Sequence, residues 1–161
     1  MAKGVHMQVV FSAKNESHRS SGMPALINYD STVVNEGGAW DGATTFTAPI
    51  SGVYFFTLGF VKEAFGEPTE DDVFVHLNKG DETLGSAWSG QGTGFRGTGT
   101  LSLAIHLDAG DEITTLAASD EGAERFIRRL HFTGFLIPTS DKADPGKGRG
   151  KGRGEGKGRA D

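Results

Sequence analysis

The chain of 161 residues contains no cysteine. That absence removes disulfides, thiolate metal centres, iron–sulfur clusters and cysteine nucleophiles together. Proline is sparse, with 5 residues, and the longest nearly apolar run, residues 53–61, is about half the ~20 residues that a membrane-crossing helix requires. No membrane insertion is expected. The opening Met-Ala-Lys-Gly-Val-His-Met-Gln has no apolar core of a signal peptide. What the chain does have is 11 Phe within a hydrophobic fraction of 36%, enough to build a real core.

Charge divides the sequence in two. Residues 141–161 hold seven cations against four acids, a net +3, whereas residues 1–140 hold nine against seventeen, a net −8. Glycine alternates with Lys, Arg or Glu from Gly146 to Gly158, a pattern that cannot bury a core. The expected organisation is a globular domain over 1–140 and a disordered Gly/Lys/Arg-rich tail over 141–161. Lys147, Arg149, Lys151, Arg153, Lys157 and Arg159 give that tail the means to bind nucleic acid or another polyanion by counterion release. With no aromatic residue interleaved for base stacking, a flexible solubilising tail is the plainer reading.

The domain reads as all-β. Period-two alternation predicts strands at 7–13, 25–29, 44–48, 53–62, 72–78, 83–88, 98–107, 112–117 and 130–137, separated by Gly, Pro, Asn and Asp. So many short strands indicate a two-sheet sandwich or jelly roll. In residues 53–61, Tyr54, Phe56, Leu58 and Phe60 share one face, and Val53, Phe55 and Val61 the other, so both faces ask for cover. Residues 130–137 end the same way. An oligomer interface on Tyr54, Phe56, Leu58, Phe60, Phe135 and Ile137 is the expectation.

The segment from Tyr29 to Phe56, with Asn35, Trp40, Phe46, Gly52 and Tyr54 between, resembles the signature of the C1q globular-head family, which is related to the tumour-necrosis-factor (TNF) ligands. Val9-Val-Phe-Ser-Ala13, Leu107-Asp-Ala-Gly-Asp111 and Phe132-Thr-Gly-Phe-Leu-Ile-Pro138 extend the likeness over about residues 7–138. Tyr29 stands where Phe is commoner, and the Trp40 to Phe46 spacing is one residue shorter than usual. The resemblance implies a ten-stranded, C1q/TNF-like jelly roll forming a compact homotrimer. It also points to an extracellular or surface location, although residues 1–161 themselves are expected to hold neither a signal peptide nor a collagen-like Gly-X-Y repeat, and the compartment is left open.

Little in the sequence speaks for catalysis. Gly92, Gly94 and Gly97 spell a dinucleotide fingerprint, but no helix follows to complete it. There is no Gly-x-Ser-x-Gly elbow, and His6, His18, His76, His106 and His131 show no metal-ligand spacing. The family resemblance raises Ca2+, for which the acidic stretch with Glu70, Asp71 and Asp72 is the candidate. Asn15-Glu-Ser17 matches a glycosylation sequon. Glu124 and Arg128, four apart, suit one helical turn.

The chain is therefore expected to be a non-enzymatic recognition or adhesion head whose trimer presents loops multivalently to a protein or anionic ligand. The loops are 14–23, 62–72 and 119–128, with Arg19, Lys62, Arg125 and Arg128 as their cations. The alternatives are a structural trimerisation or decoration domain of a surface, coat or virion-like assembly, and a secreted TNF-like ligand.

Overall fold

The computed structural model describes residues 7–20, 24–63, 72–90, 96–119 and 125–138. Ten strands run through them: β1 (Val10–Ser20), β2 (Ala25–Leu26), β3 (Ser31–Glu36), β4 (Thr45–Thr47), β5 (Gly52–Glu63), β6 (Val73–Lys79), β7 (Glu82–Ser89), β8 (Arg96–Leu107), β9 (Glu112–Ser119) and β10 (Arg125–Leu136). One sheet, here sheet A, has the order β3-β1-β10-β5-β8; sheet B has β2-β9-β6-β7, with β4 also paired to β9. All pairings are antiparallel. The expected all-β sandwich of ten strands is the observed architecture.

Alternation decides which side chains meet between the sheets. Tyr54, Phe56, Leu58 and Phe60 of β5 all point inward and are 0–3% exposed, against Val73, Val75 and Leu77 of β6 and Ile113 and Ala117 of β9 in the same core. Phe11 sits at the centre of an aromatic cluster. Its ring stacks on Trp40 with centroids 5.0 Å apart, lies 5.1 Å from Phe46 and meets Phe132 edge-on at 4.9 Å. Such contacts add to what area burial alone contributes. The buried phenols are also satisfied, Tyr29 with Thr115 at 3.0 Å and Tyr54 donating to the Ile50 carbonyl at 2.7 Å. Burial raises the pKa of both.

The signature residues thus build the core. Phe46 meets the rings of Tyr54 and Phe56 edge-on, and Gly52 is small because Leu136 Cδ1 stands 2.8 Å from where its Cβ would be. The turn before β9 is fixed by Gly110 in the left-handed region (φ 92) and by Asp111, whose carboxylate accepts from the Asp108 amide at 2.8 Å.

Several expectations need correcting. Residues 14–20 continue β1 rather than forming a loop, and β10 begins at Arg125, so Arg128 is in a strand and not a helical turn. The loop expected over 119–128 shrinks accordingly, since β9 holds Ser119. β3 was not expected at all. Asn15 is buried with its amide donating to the Asn28 carbonyl, so the sequon side chain is already engaged.

Candidate functional site

The four aromatic and aliphatic side chains expected at an oligomer interface, Tyr54, Phe56, Leu58 and Phe60, lie inside the protomer and present nothing to a second subunit. The outer face of sheet A carries the opposite set. There Phe55 and Phe135 face each other across the β5–β10 pair, with ring centroids 5.3 Å apart, and Phe135 is 38% exposed. Ile137 follows, its amide bonded to the Val53 carbonyl. Met7, Val10, Ile50, Phe135, Ile137 and Pro138 border an open groove of about 870 Å3 at this end of the sheet. Both described chain ends, at residues 7 and 138, line it.

At the other end of β5, some 37 Å away at the usual rise per residue, the outer face is charged. Register sets Arg96 of β8 opposite Glu63 of β5, and Arg128 of β10 opposite Val61. Glu63 bridges the two arginines: Oε1 lies 2.9 Å from Arg96 Nη2 and Oε2 lies 2.6 Å from Arg128 Nε. Between Arg128 and His131 the β10–β5 ladder slips by a residue, and Arg129 adopts φ 52, the one non-glycine residue with positive φ among the described residues. A bulge of this kind re-aims side chains. Arg128 and Arg129 are consecutive yet both exposed, whereas Ile127 and Leu130 on either side are buried. Val61, Glu63, Arg96, Arg128 and Arg129 line a cleft of about 80 Å3.

Of the other expected cations, Lys62 is fully buried. It continues the inward alternation of Tyr54, Phe56, Leu58 and Phe60, and its ammonium donates to the Gly90 carbonyl at 3.0 Å. It is therefore a structural lysine and no loop cation. Arg19 and Arg125 pair near one another in the β1–β10 ladder rather than in loops. Half-buried His18 is close by on β1, and burial lowers its pKa.

Glu70 and Asp71 lie outside the described residues, as does the tail with Lys147, Arg149, Lys151, Arg153, Lys157 and Arg159. Asp72 is described, and its Oδ1 is buried without a hydrogen-bond partner. Among the described residues no three His, Asp or Glu side chains come together to hold a metal. Asp72 alone does not make a calcium site, and what the outer face gathers beside Glu63 is cationic.

This framework has relatives. The C1q domain profile matches residues 10–137, almost the whole of the described sandwich. The chain belongs to the C1q domain family. That family is non-enzymatic. The C1q domain here is 31% identical over 132 residues to complement C1q tumor necrosis factor-related protein 3 of Mus musculus and, equally, of Homo sapiens. The match takes in 81% of this chain but 52% of each relative, so the chain spans about half their length. Among solved structures the fold resembles the globular domain of zebrafish complement 1qA (TM-score 0.62, 17% identity, 83% of this chain and 99% of that one). It also resembles murine APRIL (TM-score 0.60, 12% identity, 81% and 99%).

The sequence offered Arg128 as a ligand cation but missed Glu63, Arg96 and Arg129. Its one available signal was the Arg128-Arg129 doublet, which breaks strand alternation.

Proposed function

We propose that this C1q domain is a recognition or adhesion module that assembles as a homotrimer through the outer face of sheet A. One observation carries the reading: Val53, Phe55, Phe135 and Ile137 form an apolar patch on the outer face of sheet A, half-buried except for Phe135, which is exposed. In an antiparallel sandwich the face turned away from the core is ordinarily polar, and a contiguous apolar patch there marks an association site. Trimers are typical of the C1q and TNF families. Assembly by this face would gather three arginine-bearing ends into one particle, which strengthens binding to any repeated protein or anionic ligand.

Sedimentation or native mass spectrometry of the full chain tests this. A species near three times 17.0 kDa that dissociates on Phe135→Arg supports the reading. A monomer at all concentrations overturns it.

A further inference from the structure

We propose that Arg96, Arg128 and Arg129 form a binding site for a tetrahedral oxyanion, a sulfate or phosphate group, at the end of sheet A opposite the chain ends. The site deepens the reading of a recognition module by giving its ligand a chemistry. It requires one protomer only, so it stands or falls separately from the trimer.

Three observations converge on it. First, three arginines line one small cleft, and Glu63 is the single carboxylate among the described residues that line it. Among the described residues, Glu16, exposed on β1 between the pairs Asn15↔Leu130 and Ser17↔Arg128, is a further acid that the register sets across from Arg129. The balance of these five groups is positive. Second, Glu63 holds Arg96 and Arg128 by two different oxygens, so it tethers both guanidinium groups beside the cleft before any ligand arrives. Guanidinium groups fixed in this way recognise oxyanions with little further ordering.

Third, the backbone is bent to bring Arg129 to the same face. An L-residue without a special side chain is strained at positive φ, where glycine is at ease. Regular alternation would send the neighbour of an outward residue inward. The bulge instead exposes two consecutive arginines, and strain kept at such a place is a marker of function.

Geometry selects the ligand class. A planar carboxylate is served by two forks, and Glu63 already occupies that planar position between Arg96 and Arg128. A tetrahedral ion has a further face for a third donor, which Arg129 supplies. The cleft of about 80 Å3 admits such a group and opens to solvent for whatever bears it.

The test uses the full chain at constant ionic strength, titrated separately with inorganic sulfate and inorganic phosphate and followed by backbone amide NMR. Saturable shifts at Val61, Arg96 and Arg128 are expected, and preference for one ion identifies the ester class. Arg129→Gly relieves the positive φ, so its thermal stability should hold or rise while affinity drops about tenfold, as loss of a charged hydrogen bond requires. Arg129→Lys, which keeps the charge and loses the fork, should fall between. Arg96→Gln provides an independent second variant. Shifts confined to residues 141–161, no saturable shift with either ion, or unchanged affinity in both Arg129→Gly and Arg96→Gln overturn the proposal. Loss of the trimer with the shifts intact would sink the assembly reading alone.

Discussion

Asn35 and Trp40 are joined by two hydrogen bonds through one side chain: Asn35 Nδ2 donates to the Trp40 carbonyl at 2.8 Å, and its Oδ1 accepts from the Trp40 amide at 3.2 Å. The asparagine amide thus satisfies both backbone groups of the residue whose indole stacks on Phe11. Asn35→Ala leaves those groups without this partner and should destabilise the fold by about 1–2 kcal/mol. Thermal unfolding reads this as a drop of several degrees, and an unchanged Tm would contradict it.

The two faces of β5 should respond differently to truncation. Phe56→Ala empties a site at the middle of the core and should cost about 3–5 kcal/mol. Phe55→Ser, on the outer face, should leave protomer unfolding nearly unchanged in the monomeric species while weakening self-association. Denaturation measured beside sedimentation separates the two effects.

Gly134 is another tight point. A Cβ there would lie 2.6 Å from ring atoms of both Phe11 and Phe56, neither of which has room to retreat in the packed aromatic cluster. Gly134→Ala should therefore destabilise by about 1–3 kcal/mol, as overpacking does. Urea unfolding provides the number, and a stabilised variant would show the cluster to be looser than described.

Acid should weaken the fold through two carboxyls. Asp111 is held below the usual 3.8 by the hydrogen bond from Lys79, 2.7 Å away, and by the Asp108 amide. At Asp41, partial burial pushes upward but is outweighed by backbone hydrogen bonds from Thr45, Ala43 and Thr44, and the net shift is also downward. A carboxyl depressed in the folded state contributes stability that is present above its unfolded pKa and is lost as pH falls through the folded value. The Tm measured from about pH 6 to about pH 2 should decline below the ordinary carboxylate range. In Asp41→Asn the decline should be shallower, and a curve parallel to wild type would refute the assignment.

Lys62 and Arg129 offer a contrast in how a cation is read from sequence. Lys62 follows an apolar run and reads as the start of a loop, yet strict alternation sets it on the inward side of β5. Its burial at the end of the sandwich was legible from period two alone. Arg129 was not legible in this way, because the bulge that exposes it exists only in the pairing of β10 with β5. The fold itself was largely readable, since residues such as Leu101, Leu103 and Ile105, or Val73, Val75 and Leu77, alternate cleanly. β3 escaped because it is an edge strand whose Val33 is 65% exposed, so Ser-Thr-Val-Val-Asn-Glu carries no buried stripe. The second half of β1 escaped for a similar reason: Ser17, Arg19 and their neighbours pair with β10 through backbone while polar side chains hide the period.

Because residues 7 and 138 border the same groove, the domain suits circular permutation. A short linker could join them, and new termini could open at the hairpin between Lys79 and Glu82, where Gly80 and Asp81 are exposed. Such a rearranged chain would keep every strand pairing while moving its attachment points to sheet B. Immobilised through those points, the same sandwich would offer its sheet A surfaces to a sensor in a different orientation, a property of use in surface-based assays.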